Sequence, residues 1–269
     1  MGSLRRVGFF ISFFGKEGIG MVTVQETVES GINPITLEFS DVTLFDGGRI
    51  VRSFIVFNSL DLGVLSYGQY RFVARRTKLA GQIVRRHIEK LFRKIPEILS
   101  EEESVGCYTV PVYARLLMSG ELATMLVDMI SLYPEIPVGK ICIELSADIL
   151  YEDLKLAAEK IDELRELGVK VAVFEVGDEF CPVFRLSEIK FDYAFMDSYS
   201  VDSLDTDSAE RVAGSLVNYL HHLKAKVIAP GLDTEERREV ARRLGVDGYT
   251  EERIAEYYAE GGDTDEEIN

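Results

Sequence analysis

Short β-branched runs alternate with amphipathic stretches along most of this chain, one pair about every 30 residues, and few folds accept that rhythm. The runs Cys107–Tyr113, Lys140–Leu145, Lys170–Val176, Tyr193–Asp197 and Lys226–Ala229 predict strands. The segments Gly120–Tyr133, Tyr151–Leu167, Ser208–Leu223 and Thr234–Leu244 carry apolar residues at helical spacing and predict the helices between them. Two joints are legible residue by residue. Leu167-Gly168-Val169 and Leu244-Gly245-Val246 each place a glycine where a helix ends in the left-handed conformation and a strand follows at once. Upstream, Pro34–Phe45 and Arg49–Phe57 flank Asp46-Gly47-Gly48 and predict a β-hairpin ahead of the βα units.

At 269 residues the chain is long enough for an α/β barrel, which takes about 250 residues as one domain. Residues 34–260 are expected to form that single domain. Residues 1–33 read as a leader and residues 261–269, acidic and poor in apolar side chains, as a frayed tail. Arg5-Arg6 ahead of Val7–Phe14 resembles the front of a signal peptide. The run is short, no small-residue cleavage site follows, and Lys16 and Glu17 end it, so neither export nor a membrane span is expected; Met21 offers an alternative start.

The formal net charge is −16, unevenly spread. Residues 1–99 carry 14 basic and 9 acidic side chains, residues 100–249 carry 15 and 29, and residues 250–269 carry 1 and 8. A chain this acidic has no global attraction for nucleic acid or anionic lipid. The basic side chains concentrate over residues 71–94, where Ile83, Val84, Ile88, Leu91, Phe92 and Ile95 predict the buried face of an amphipathic helix. Its basic flank, with Arg75, Arg76, Arg85, Arg86 and Arg93, is a solvated face or a docking face for an acidic partner.

Cys107, Cys142 and Cys181 match no zinc or redox spacing and read as buried thiols of a reducing, cytoplasmic compartment. His87, His221 and His222 form no ligand or triad pattern and are expected on helix surfaces. Gly15–Gly20 lacks the Gly-Lys-Ser/Thr ending of a phosphate loop, and its likeness to one is put down to chance.

Several segments resemble the EAL domain of bacterial cyclic di-GMP phosphodiesterases. Lys140–Leu145 resembles the family's "l-x-l-E-i-T-E" strand, with Glu144 on its first glutamate, and Leu167–Val173 resembles "l-G-v-x-i-A-l". Val227–Glu236 resembles "v-I-A-E-G-V-E-T-x-x", and Leu244–Tyr249 resembles "L-G-x-D-x-x-Q-G-Y". Gly48–Asn58 fits "g-x-i-v-g-y-E-A-L-l-R" without a gap, and 24 residues inclusive separate Phe174 from Asp197, as between the first Asp of "D-D-F-G" and the Asp of "K-I-D". The resemblance implies a modified TIM-type (β/α) barrel that opens with the hairpin, its chemistry at the C-terminal ends of the strands.

Family enzymes hold two divalent cations there with carboxylates and an amide. On the matched positions this chain has Phe54 for the signature Glu, Pro111 for the Asn, Phe174 for the first Asp, Phe195 for the Lys and Pro230 for the next Glu. Asn58 replaces the Arg that grips a ligand phosphate, and the late Gln is deleted before Gly248. Glu144, the shifted Glu175, Asp197 and the shortened Asp233 stay acidic. Were Glu144, Glu175 and Asp197 to converge, they would make a single weak Mg²⁺ or Ca²⁺ site. Phe54, Phe174 and Phe195 are expected to plug the old cavity, at about 1.5–3 kcal/mol of stabilisation per buried ring. The expectation is a catalytically inactive domain without cofactor, kept for binding an unidentified protein partner in signalling, with a homodimer also open. The alternative is a noncatalytic receptor for cyclic di-GMP or another nucleotide at the barrel mouth. An active hydrolase is the third reading.

Overall fold

Strand alternation builds the molecule from the inside out. In the computed structural model, which describes residues 35–59, 63–67, 70, 80–101, 105–178, 181–198, 201 and 206–252, neighbouring strand residues go to two different cores. Ile50, Cys107, Cys142, Ala172, Tyr193 and Ile228 join one interior cluster. Their sequence neighbours Val51, Tyr108, Ile143, Val173, Ala194 and Val227 join a second, larger cluster with the helices. A period of two with both faces apolar is what a closed parallel sheet wrapped by helices requires.

The hairpin comes first, as β1 (Ile35–Leu44) and β2 (Arg49–Ser59), paired antiparallel from Ile35↔Phe57 to Thr43↔Arg49. Gly47 sits at φ +90°, and Asp46 accepts a hydrogen bond from the Gly48 amide, so the predicted turn forms. A short β3 (Gly63–Leu65) pairs with the upper end of β2. Then follow α1 (Ala80–Glu101), β4 (Val105–Val112), α2 (Ala114–Ser119), α3 (Glu121–Leu132), β5 (Ile141–Ser146), α4 (Leu154–Glu166), β6 (Lys170–Val176), β7 (Tyr193–Met196), α5 (Asp207–His222), β8 (Lys226–Ala229), α6 (Glu235–Arg243) and β9 (Gly248–Tyr249). β2 and β4 through β9 run parallel in sequence order, and β1 pairs antiparallel with both β2 and β9, which closes an eight-stranded barrel with β3 at its rim.

The two predicted glycine joints hold. Gly168 and Gly245 lie at φ +88° and +87°, and the amides of Val169 and Val246 reach back to the carbonyls of Leu164 and Ala241. The basic helix is α1, with Ile83, Val84, Ile88, Leu91, Phe92 and Ile95 buried and Arg85, Arg86 and Arg93 exposed. Arg75 and Arg76, the leader, the Gly15–Gly20 stretch and the tail lie outside the described residues. Cys107 and Cys142 are buried thiols as expected, and Cys181 is half-buried; all three are free. No helix among the described residues is long and apolar enough to cross a membrane.

One expectation is overturned. His87 is buried, 2% exposed, on the inner face of α1. It lies four residues after Ile83 and three after Val84, which places it on the apolar stripe. Ser53 Oγ donates its one proton to the Thr109 carbonyl at 2.5 Å, so at 2.8 Å it accepts from His87 Nε2–H. Burial pushes the His87 pKa down to about 3. Below pH 6.5 the unfolded chain binds a proton that the folded chain refuses, so stability falls with pH by about 1.4 kcal/mol per unit between pH 6.5 and 3 on this account. In urea unfolding, the stability difference between wild type and His87→Gln is expected to shift steadily in the variant's favour from pH 6.5 to pH 4. A constant difference shows that His87 titrates as in the unfolded chain.

Closure also leaves its mark on Gly248. A Cβ there would lie 2.6 Å from Leu44 Cδ2 and 2.8 Å from the Thr43 carbonyl oxygen, on the strand that closes the barrel. Gly248→Ala is expected to destabilise the fold by about 1–3 kcal/mol, read as a lower urea midpoint.

Candidate functional site at the barrel mouth

The parallel strands deliver Pro111, Glu144, Phe174, Phe195 and Pro230 at or beside their C-terminal ends, the end where such barrels keep their chemistry, and Phe54 lies midway along β2, two residues beyond its last parallel pairing with β4. All six are buried. Phe174 and Phe195 belong to the interior cluster, together with Val42, Leu44 and the inward residues of the other strands. Phe54 packs on Tyr67 with ring centroids 5.4 Å apart, and Tyr67 in turn stands edge-on to Tyr70.

Glu144 is fully buried and already engaged. Arg52, two residues before Phe54 on β2, donates from Nε to Glu144 Oε1 at 2.7 Å and from Nη2 to Oε2 at 2.5 Å. Thr109 on β4 donates its hydroxyl to Oε1. Arg52 is 2% exposed, so both charges of this forked pair are out of water. The guanidinium carbon lies 4.4 Å from the centroid of the Phe195 ring and 5.1 Å from that of Phe54, within cation–π reach of both. The three phenylalanines therefore do not make a plug of rings alone. An arginine–glutamate pair stands among them.

The other acids do not join it. Glu175 takes a left-handed backbone, φ +63°, at an irregularity in the β6–β7 pairing, and accepts from Ser146 Oγ at 2.7 Å. Asp197 follows β7, its amide bonded to the Val176 carbonyl. Asp233 is exposed and lies 3.7 Å from Arg237. Among the described residues no three His, Cys, Asp or Glu side chains come together as a metal-binding group, so the convergence of Glu144, Glu175 and Asp197 does not occur there. Asn58, half-buried on β2, donates to Thr36 Oγ1 at 3.4 Å across the hairpin. The two remaining histidines are at the end of α5: His221 Nε2 pairs with Asp247 Oδ2 at 2.9 Å, an atom that also accepts from the Val227 amide, and His222 is exposed.

The EAL domain profile matches residues 51–250, which takes in the barrel from β2 to β9. The chain belongs to the EAL domain family. It is 23% identical over 225 residues to the probable cyclic di-GMP phosphodiesterase PdeB of Escherichia coli, covering 83% of this chain and 42% of that protein. It is 24% identical over 179 residues to an uncharacterized protein of Mycobacterium bovis, covering 64% of this chain and 28% of the other. The chain thus spans less than half the length of these curated relatives. Among solved structures, the FimX EAL domain from Pseudomonas aeruginosa bound to c-di-GMP superposes with a TM-score of 0.73 at 17% identity, over 90% of this chain and 95% of that one. A c-di-GMP complex of the PaMucR phosphodiesterase gives a TM-score of 0.73 at 18% identity, over 85% and 92%. Both likenesses are of fold.

Sequence reasoning missed two residues of this site, Arg52 and Thr109. Within the EAL pattern, Arg52 is the one that left a signal. It falls on the second glycine of "g-x-i-v-g-y-E-A-L-l-R", and its inward direction follows from Phe54 two positions on. A charged residue in an apolar strand, on a position the pattern leaves to glycine, was the signal available.

Proposed function

We propose that this EAL domain is catalytically inactive and serves as a protein-interaction or regulatory module in bacterial signalling. The observation that carries the reading is the state of Glu144. The family's two cations need carboxylate oxygens free to bind them, on the order of six oxygen ligands around each ion. Here Arg52 and Thr109 occupy both oxygens of Glu144, and Phe54, Phe174, Pro111 and Pro230 stand on the matched ligand positions. A two-metal site does not fit these side chains.

The same plug argues against the receptor reading. A nucleotide at the mouth needs open space and a cationic grip on its phosphates, and the position matched to the family's arginine holds Asn58, turned to Thr36 across the hairpin. With buried rings and prolines on the matched ligand positions, the exterior is the surface better suited to recognition. Arg85, Arg86 and Arg93 give α1 an exposed basic side in a chain of net charge −16, which suits an acidic protein partner. A homodimer and a cytoplasmic location are parts of the same proposal.

Purified protein is expected to leave cyclic di-GMP intact in Mg²⁺ or Mn²⁺ and to give no binding heat with it up to millimolar ligand. Turnover sinks the inactive reading, and heat without turnover moves the assignment to a receptor. For the surface, the triple change Arg85→Glu, Arg86→Glu, Arg93→Glu is expected to lower partner capture at least tenfold with an unchanged circular dichroism spectrum. Capture that survives the change places the docking face elsewhere.

A further inference from the structure

A buried carboxylate must be protonated, coordinated or paired with a cation, and Glu144 is paired. We infer that Arg52 is a resident cation, an internal guanidinium standing in for the divalent metal of the family site, and that Glu144 is kept in this chain as its counter-ion. The inference rests on the inactive reading above and gives a cause to several replacements at once.

The side chains around the pair suit a guanidinium and not a hydrated metal ion. A divalent cation such as Mg²⁺ holds several waters and dehydrates reluctantly, so aromatic rings against it are unfavourable. A guanidinium is weakly hydrated, stacks on ring faces and matches a carboxylate in a two-pronged fork. Phe195 and Phe54 offer the ring faces at 4.4 and 5.1 Å, Glu144 accepts the fork, and Thr109 gives the carboxylate a third hydrogen bond. Nη1 is buried without a hydrogen-bond partner, a cost that the two rings offset. Glycine to Arg52, glutamate to Phe54 and lysine to Phe195 thus read as one exchange: the charge at the centre changed carrier, and the ring positions followed. The cation is covalently part of β2 and cannot be chelated away.

The test is a double-mutant cycle in thermal unfolding of the full chain, with Arg52→Met, Glu144→Leu and the two together, each read with 5 mM Mn²⁺ and with excess EDTA. Each single change leaves one buried charge alone and is expected to lower Tm by about 10 °C. The double variant is expected to recover most of that loss, and the wild-type Tm is expected to be the same in Mn²⁺ and in EDTA. Additive losses in the double variant overturn the assignment. So does a Mn²⁺-dependent rise in wild-type Tm that Glu144→Leu abolishes, since a metal then reaches the carboxylate past Arg52. Should the single variants fail to fold, the double variant decides alone: a Tm close to wild type supports the pair as counter-ions, and failure to fold overturns it. Turnover of cyclic di-GMP with an intact cycle removes the proposed function and leaves the pairing, whereas an additive cycle in a protein without turnover removes the resident cation and leaves the inactive reading.

Discussion

One charged pair, Arg52 with Glu144, sets the character of this barrel's centre. Both side chains come from inward positions of parallel strands, so neither can reach water without breaking the wall that carries it. Their attraction in a poorly polarisable interior offsets a desolvation cost that would otherwise forbid the arrangement. The side chains near them answer to the pair: ring faces at Phe54 and Phe195 meet the guanidinium, the Thr109 hydroxyl donates to the carboxylate, and Phe174 belongs to the apolar cluster of the interior.

The architecture was largely legible because it is written twice. Period-two alternation marks each strand, and glycines at helix ends mark where Lys170 and the segment after Gly245 turn back into the wall. Segments that escaped are short or depend on the closed fold. β3 and α2 have too few residues to show a period, and β9 exists because β1 and β8 flank it. The mouth was half legible. Family positions located Phe54, Pro111, Phe174, Phe195 and Pro230, whereas Arg52 stands on a pattern glycine, two residues before the first ligand position, where the resemblance assigns no role.

His87 was misread for a similar reason. Histidine on an otherwise basic helix is read as solvated, yet its spacing from Ile83 and Val84 put it on the apolar stripe, where burial disfavours its charged form and Ser53 accepts from its Nε2–H. Polar residues inside this protein come in matched sets: His87 with Ser53 and the Thr109 carbonyl, Arg52 with Glu144 and the Thr109 hydroxyl. Thr109 belongs to both sets, from its carbonyl to the helical shell and from its side chain to the interior. It links the two cores that strand alternation otherwise keeps separate.

The closing strand has a consequence in time. β1 pairs with β9 at Thr43↔Tyr249 and Leu44↔Gly248, so the first and last strands of the wall are neighbours. On a ribosome that adds roughly 5–20 residues per second, the hairpin emerges well before its second partner exists. For that interval, on the order of ten seconds or more, the free side of β1 is an unpaired strand edge that invites pairing with another chain. The order of synthesis thus gives this barrel a window of vulnerability that its finished form conceals, and the seam between Leu44 and Gly248 is where that window shuts.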